Sequence, residues 1–358
     1  MNRTQSLTLS KLLPFLQSLL TAGGFNSDEA TAIARSLTLS ERLGYGSHGL
    51  MHVRRYIAER RSGNIVSGAR MKIVQETPTS LTVDAQTGVG QIVMPALLDA
   101  MRAKAKDQAV VSVAARNVGH IGRLGEWTEV LTADGYASLL LVNDNGINFL
   151  VAPPGGKRGA TSTNPIAFGI PLADAEMFSV DMSTGAIAFG KVNRARRERV
   201  RVPPDCIQDA EGHPTVDPNA LFTDPKGSIL PMGGAQGYKG FALSMFVDLL
   251  VAGLSGGQAP PAEAGTTGEN CLVMVAWNPK FYAGFAHIAE QARKYIAFVK
   301  ASPPVDEAAP VRIPGERTQA LRQNLKTQDI ALSSELADDL AKLAGELNVA
   351  HHPFGPSR

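Results

Sequence analysis

Hydrophobic and polar positions alternate along this chain with two periods, which predict two kinds of element. Apolar residues over 11–20 follow helical spacing and predict an amphipathic helix that ends at the Gly-Gly pair 23–24. A second helix is predicted to begin at Ser27, a good N-cap, and a third to run from about residue 50 to 61. The second helix is expected to bury Ala30, Ile33, Ala34 and Leu37. The first 62 residues are therefore predicted to be helical.

Short apolar runs after residue 62 predict a series of strands with helices between them. The strands are predicted at 71–76, 80–84, 110–114, 137–142, 166–171, 178–182 and 271–276. The helices are predicted at 95–106, 123–132, 239–251, 281–300 and 333–346. The Pro- and Gly-rich stretch 203–231 is expected to form long surface connections, and 302–310 is a candidate crossing between domains. The alternation predicts an α/β fold with a mixed sheet and flanking helices.

Composition and charge narrow the class of protein. The chain has 358 residues and a formal net charge of +2, which favours neither nucleic acid nor an anionic membrane as a partner. The apolar stretch 246–254 is too short to span a bilayer and contains Asp248. Only Cys206 and Cys271 are present, which excludes a disulfide framework and favours a reducing cytoplasm.

The segment 44–49 has the spacing G-x-G-x-x-G, but its context differs from that of a dinucleotide fingerprint. That fingerprint requires a strand immediately before the glycines, and here a helix precedes them. The chemical interest of the segment is in Ser47 and His48, because a histidine between glycines can reach a ligand and titrate near neutral pH. The alternative is that His48 only caps or fills a turn.

His48 and His52 also have the i, i+4 spacing of a metal pair on a helix. Gly49 stands where such a motif would place its catalytic carboxylate, and no third ligand is apparent nearby. We therefore expect no metal. A metal-dependent lyase or hydrolase that uses His48 and His52 stays as a distant alternative.

A second polar loop, 116–125, follows the predicted strand 110–114 and leads into a helix near Arg123. Loops at the carboxyl ends of strands are common ligand sites in α/β proteins, and a helix N-terminus favours anions. His120 in this loop is the second candidate proton carrier. A histidine bonded to the backbone of a Gly-rich turn would have the same sequence.

Three further segments, 161–165, 181–185 and 233–240, place small residues beside polar groups. Such segments allow a phosphate or ribose to approach the backbone, although many are simple turns, and none has the Walker A sequence. The arginines between 194 and 201 predict an exposed strand edge or, alternatively, a site for the 2′-phosphate of NADP.

Taken in order, these segments resemble the malate/L-lactate dehydrogenase type 2 family, and within it the hydroxycarboxylate dehydrogenase B group. The matching stretches are 46–49, 117–125, 163–165, 181–184, 186–191, 239–243, 254–257 and 313–316. The resemblance implies a homodimer with a non-Rossmann dinucleotide-binding fold. It also implies NAD- or NADP-dependent interconversion of a small 2-oxo acid and its 2-hydroxy acid by hydride transfer. NADPH-dependent reduction of a cyclic imine carboxylate is the alternative within the family, and dinucleotide binding without turnover is a third possibility.

The resemblance also implies a division of the chain and a set of site residues. The regions expected are a helical N-terminal segment (1–62) that packs with the C-terminal helices, an α/β substrate-side region (63–122), a dinucleotide-binding domain (123–280) and a helical C-terminal segment (281–358). His120 is expected to donate and accept the proton, and His48 to orient the carbonyl or the cofactor. The cofactor-binding residues expected are His48, Gly122, Arg123, Leu124, Asp181, Met182, Ser183, Lys239, Asn270, Pro314, Gly315 and Glu316. The substrate-side residues expected are Ser47, His52, Thr163 and Asn164.

One position departs from the family pattern. Many family members have an arginine four residues after the histidine of the Ser-His-Gly motif, where it can hold the substrate carboxylate; here that residue is His52. Histidine lacks the bidentate, permanently charged fork of arginine. Carboxylate recognition is therefore left open by the sequence, as is the choice between NAD and NADP.

Overall fold

The computed structural model describes residues 4–173, 176–325, 329–350 and 352–354. Its α-helices are α1 (Leu9–Ala22), α2 (Ser27–Arg42), α3 (Val53–Ser62), α4 (Gly90–Ala105), α5 (Leu124–Ala133), α6 (Phe189–Arg197), α7 (Tyr238–Ser255), α8 (Phe285–Lys300), α9 (Glu316–Gln323) and α10 (Ser334–Glu346). Its strands are β1 (Thr4–Leu7), β2 (Lys72–Glu76), β3 (Ser80–Gly88), β4 (Val110–Val118), β5 (Ala137–Asn143), β6 (Ile166–Pro171), β7 (Met177–Met182), β8 (Ile207–Gln208), β9 (Pro214–Thr215), β10 (Ser228–Ile229), β11 (Asn270–Trp277) and β12 (Ile330–Ser333).

The main sheet has seven strands in the order β2-β3-β4-β11-β5-β6-β7. The β3–β4 pair is parallel and the other pairs are antiparallel, so the predicted mixed sheet is confirmed. Apolar residues of α4 and α5 pack on one face, where Leu97 and Trp127 belong to the core. Val247 and Val251 of α7 pack on the other face. Because both faces are covered, the central strands are apolar on both sides.

The helices of the N-terminal segment form a separate core with the last helix of the chain. Leu16 of α1, Ile33 of α2 and Ile57 of α3 pack in one cluster with Leu340 of α10. Strands β1 and β12 pair antiparallel beside this cluster. The two strands were not predicted from the sequence, because each is only four residues long and carries little periodic signal.

The helix ends differ from the sequence prediction in ways that local hydrogen bonds explain. The N-cap of α2 is Asn26 rather than Ser27: the Asn26 side chain accepts from Glu29 N at 3.0 Å, and Glu29 Oε2 accepts from Asn26 N at 3.1 Å. The third predicted helix begins as a 3₁₀ turn at Leu50–His52 before α3. The helix predicted at 239–251 is longer in the structure, where α7 runs from Tyr238 to Ser255.

Two further predictions need correction. Residues 203–231 contain the three-stranded sheet β10-β8-β9 and contribute Ile207, Leu221 and Ile229 to a small core, so they are more than surface connections. The arginine run is not a strand edge, because its first part forms the end of α6 and Arg199 has a left-handed backbone. Helices α6 and α9 were not predicted.

Helix α7 is, among the described residues, the one helix whose length and apolar composition would allow it to cross a membrane. It is longer than the apolar stretch recognised in the sequence, and a third of it is buried inside the protein. Its buried side packs on the main sheet through Val247 and Val251. We interpret it as a helix that packs on the sheet by one side and exposes apolar residues on the other.

Candidate active site

A cleft of about 850 Å³ lies between the N-terminal segment, the ends of the central strands and α6. It brings together residues that the sequence analysis took from four separate segments. The predicted site residues that line it are Ser47, His48, His52, His120, Gly122, Leu124, Thr163, Asn164 and Asn270. Ligand pockets typically measure about 300–1,000 Å³, so the cleft has the size of a binding site.

Local backbone geometry presents the first two of these residues. Ser47 and His48 lie in a 3₁₀ turn at Gly46–His48, and the chain then passes close to α2. A Cβ on Gly49 would lie 2.0 Å from Glu41 Oε2, the oxygen that accepts from Leu50 N at 3.0 Å. Glycine is therefore required after His48, because only glycine allows the Glu41 carboxylate to bind the next turn.

Three histidine rings meet at the floor of the cleft. The ring centroids of His48 and His120 are 6.3 Å apart with nearly parallel planes, and those of His52 and His120 are 5.0 Å apart. Burial lowers the pKa of His48. Burial, together with the Arg55 charge, lowers the pKa of His120 well below its ordinary value of 6.5. Both rings are therefore neutral at neutral pH and can accept a proton.

His120 follows strand β4 and is held by two residues that the sequence analysis missed, Tyr56 and Gln91. The Tyr56 hydroxyl lies 2.7 Å from His120 Nδ1 and 3.0 Å from the His120 carbonyl oxygen. Gln91 Nε2 donates to the same hydroxyl at 3.0 Å. These contacts engage Nδ1, and among the described residues His120 Nε2 has no hydrogen-bond partner. Nε2 is therefore the ring nitrogen left for a substrate.

His52 has a different role from His120. Its Nε2 lies 2.8 Å from the Ser47 carbonyl oxygen, which can only accept, so Nε2 carries the proton. Burial and the Arg55 charge lower the pKa of His52 to about 3. A neutral ring whose N–H is already bonded cannot replace an arginine as a receptor for a carboxylate. His52 instead fixes the turn that presents Ser47.

The same contacts bear on the possible metal pair. His52 Nε2 is bonded to Ser47, and the rings of His48 and His52 are 6.3 Å apart. Within the described ranges, no group of three or more His, Cys, Asp or Glu is arranged to hold a metal ion. The geometry gives no support to a metal-dependent reaction at these two histidines.

Asp181 and Arg123 lie beside His48 but are bonded within the protein. Asp181 Oδ2 accepts from Gly125 N at 2.8 Å, at the N-terminus of α5, and burial raises its pKa. Arg123 is 1% exposed and forms a two-point ion pair with Glu129 at 2.9 and 2.7 Å. Glu129 also pairs with Arg322, so one carboxylate faces two guanidinium groups, and the part predicted for Arg123 in cofactor binding stays a prediction.

The polar residues 163–164 and 181–183 are connected to one another. Ser183 Oγ donates to the Thr163 carbonyl oxygen at 3.1 Å, which ties the end of β7, after Met182, to this loop. The Asn164 amide donates to Asp248 Oδ2 at 2.7 Å beneath the cleft. Asn164 is fully buried, so its contacts hold the loop in place.

The remaining predicted cofactor residues lie outside the cleft. Lys239 is exposed in the first turn of α7, and its ammonium group lies over the Tyr238 ring. Gly315, in the turn with Pro314, has a φ of 88° and approaches β7 so closely that a Cβ would lie 3.0 Å from Ser179 N. Glu316 forms an ion pair with Lys300. Lys239 therefore lies in α7 and the turn at 314–316 lies beside β7. None of these residues lines the cleft that contains the three histidines.

The cleft has an acceptor that a nicotinamide nucleotide could use. Asp144 lines it and is 8% exposed; its Oδ2 accepts from Asn148 N at 2.9 Å. Its Oδ1 is buried with no hydrogen-bond partner among the described residues. The carboxamide and ribose hydroxyls of the nucleotide are donors, and a buried acceptor without a partner is costly. The residues present therefore fit this cofactor.

Comparisons with known proteins agree with this geometry. A sequence profile of the malate/L-lactate dehydrogenase family matches residues 7–341. Hydroxycarboxylate dehydrogenase B of Escherichia coli O157:H7 is 32% identical over 324 residues, which cover 89% of this chain and 88% of the relative.

Solved structures extend the similarity to the fold. Malate dehydrogenase from Pyrococcus horikoshii OT3 superposes with a TM-score of 0.84 at 25% identity and covers 96% of each chain. Δ1-Piperideine-2-carboxylate reductase from Pseudomonas syringae pvar. tomato gives a TM-score of 0.82 at 28% identity, covering 95% of this chain and 100% of the other. The predicted non-Rossmann mixed-sheet fold is thereby confirmed.

Proposed function

This chain belongs to the malate/L-lactate dehydrogenase family, and we propose that it interconverts a small 2-oxo acid and its 2-hydroxy acid with a nicotinamide dinucleotide. The family and the dehydrogenase class predicted from the sequence are confirmed. The observation that carries the reaction is His120: a half-buried, neutral imidazole whose Nδ1 is held by Tyr56, while Nε2 has no hydrogen-bond partner among the described residues. Such a ring is suited to proton exchange with a substrate oxygen.

In the oxidative direction, Nε2 of neutral His120 accepts the proton of the substrate hydroxyl. In the reductive direction, the ring takes up a proton and passes it from Nε2 to the carbonyl oxygen. The chemistry that a nicotinamide dinucleotide would supply, when bound, is transfer of a hydride to or from the substrate carbon. Tyr56 fixes the ring plane in both directions and satisfies Nδ1 in either tautomer, because its hydroxyl can donate or accept.

The proposed cofactor contacts come from residues that line the cleft. His48, Gly122, Leu124 and Asn270 would hold the nicotinamide half, with Asp144 as an acceptor. Asp181 lies close enough to His48 to raise its pKa against the lowering by burial. Asp181 would therefore hold His48 in position. We leave the choice between NAD and NADP open.

We further propose a homodimer in a reducing cytoplasm. Helices α7 and α8 expose apolar side chains that a monomer would leave in water: Leu249 is 64% exposed and Phe298 is 77% exposed. Large exposed apolar faces mark association surfaces. Cys206 and Cys271 are both free thiols, which suits a reducing compartment.

Reduction of a cyclic imine carboxylate is the second candidate. It is favoured by the similarity to the solved piperideine-carboxylate reductase. The same His120 could protonate an imine nitrogen in place of a carbonyl oxygen, so the two reactions need the same acid. Only assays with both classes of substrate separate the two reactions.

The test is a spectrophotometric screen of NADH and NADPH oxidation over 2-oxo acids with varied side chains and over cyclic imine carboxylates. We expect turnover with a 2-oxo acid, and we expect His120→Gln to lower kcat by about 10²–10⁴-fold with dinucleotide affinity nearly unchanged. The matched control is His213→Gln, at an exposed histidine in the loop between β8 and β9. Turnover with imines alone would favour the second candidate, and full activity of His120→Gln would refute the role of His120.

A further inference from the structure

A 2-oxo acid brings a carboxylate into the cleft, next to the carbon that reacts. A carboxylate taken out of water requires a cation or several donors close to it. His52 supplies neither, because its ring is neutral and its N–H is bonded to Ser47. The cationic side chains that line the described part of the cleft are Arg55, Arg197 and Lys226.

Of these three cations, Arg55 is the one whose place in the fold is beside the residues that hold the histidines. It lies on α3, one turn after His52 and adjacent to Tyr56, the residue that holds His120. Its charge acts on both His52 and His120, whereas Arg197 acts more weakly on His52 and does not act on His120. Arg197 lies at the end of α6, on the other wall.

One nitrogen of the Arg55 guanidinium is hydrogen-bonded within the described protein, and the other two are not. Its Nη2 donates to Glu269 Oε1, and its Nε is 4.0 Å from Glu59 Oε1, too far for a hydrogen bond. Among the described residues, Nη1 has no partner. The side chain remains 40% exposed. The N–H groups of Nε and Nη1 are therefore available to a ligand, while Nη2 is bonded to a carboxylate that also lines the cleft.

We propose that Arg55, positioned by Glu269, binds the carboxylate of the substrate. The inference rests on the proposed function, because it assumes an anionic 2-oxo acid. It assigns carboxylate recognition to a residue three positions after His52, on the helix that also carries Tyr56. Arg55 and the three histidines line the same cleft, so helix α3 carries both the proposed anchor and Tyr56, which holds His120.

The arrangement also predicts what the site rejects. An amide or ester of the same 2-oxo acid lacks the negative charge and would leave the Arg55 fork with a poorer partner. Lysine at this position would keep the charge but lose the planar two-point geometry. The substrate class is therefore a free 2-carboxylate, and affinity should depend on the guanidinium itself.

The test measures binding, so that it does not depend on turnover. Oxamate, an unreactive analogue of a 2-oxo acid, is titrated by calorimetry into the protein saturated with NADH or NADPH. We expect Arg55→Met to weaken oxamate binding by about 10- to 100-fold and Arg55→Lys to weaken it less. Arg54→Met is the matched control, because Arg54 is the neighbouring residue on α3 and pairs instead with Asp339 and Glu346 of α10.

Each outcome bears on one proposal. Unchanged oxamate affinity in Arg55→Met, a loss that follows Arg197→Met instead, or no binding of oxamate by the wild-type protein would overturn the assignment of Arg55. Arg55-dependent binding of oxamate without turnover of any 2-oxo acid would support Arg55 and refute the proposed function. Dinucleotide affinity and the thermal unfolding midpoint of each variant establish that the variants are folded.

Discussion

Replacing His52 with glutamine should make the protein more resistant to acid. Glutamine keeps an N–H that can donate to the Ser47 carbonyl oxygen, as His52 Nε2 does at 2.8 Å. It has no group that titrates. The variant therefore separates the proton equilibrium of His52 from its hydrogen bond.

The magnitude follows from the pKa of His52, which burial lowers from 6.5 to about 3. Below pH 6.5 the unfolded chain binds a proton at this position and the folded protein does not, so unfolding takes up one proton and acid favours it. Stability is thus present above pH 6.5 and is lost as the pH falls toward 3, by about 1.4 kcal/mol per pH unit. At pH 5 the loss amounts to about 2 kcal/mol, an upper value because the ring borders the cleft.

The assay is urea unfolding followed by tryptophan fluorescence, since Trp127 is buried and reports on the α5 core. The wild-type protein and His52→Gln are compared at pH 7.5 and 5 and at one protein concentration. Lost ring packing against His120 shifts the variant equally at both pH values and cancels in the comparison. We expect the wild-type free energy of unfolding to fall by about 2 kcal/mol more than that of the variant. Parallel losses would mean that His52 is protonated in the folded protein and would refute the reasoning.

Two further predictions concern His120 and the exposed face of α7. Tyr56→Phe removes the hydroxyl that bonds His120 and Gln91; we expect stability to fall by about 1–3 kcal/mol and kcat to fall about tenfold or more, with dinucleotide affinity unchanged. Wild-type kcat in this variant would show that Nδ1 needs no partner. Leu249→Asp places a charge on the apolar face of α7, and sedimentation velocity should then show a monomer. Val200→Asp, at an apolar residue that is also exposed but lies off α7 and α8, should stay dimeric; a monomeric wild-type protein, or a dimeric Leu249→Asp, would contradict the proposed interface.

Most of the fold could be predicted because its elements are periodic and locally consistent. Long amphipathic helices such as α1 and α2, and apolar strands such as β5 and β11, have their signal within a single window of sequence. Strands β1 and β12 could not be found this way, since each is stabilised by the other from the opposite end of the described chain. Helix α6 was missed because its polar, Arg-rich sequence has only Val192 and Ala195 buried.

The site was predictable only in part, for a different reason. Glycine-flanked loops revealed His48 and His120, but partners from other elements decide what each group can do. Arg123 pairs with Glu129, six residues away, which Arg322 also contacts, and no pattern shows which carboxylate an arginine will meet. Arg55 occurs in a helix rich in charges, where the sequence gives no sign that one of them faces a cleft.

The pairing of β1 with β12 has a consequence for how the active site is made. During synthesis α1 to α3 leave the ribosome before the strands of the main sheet, and β12 and α10, which complete their core, leave it after those strands. The apolar surface of α1 to α3 therefore stays partly uncovered while the main sheet is made, and such long-range contacts form slowly. His52, Arg55 and Tyr56 lie on or beside α3, so they reach their final positions only after α10 has packed. The nascent chain should be inactive until α10 has emerged.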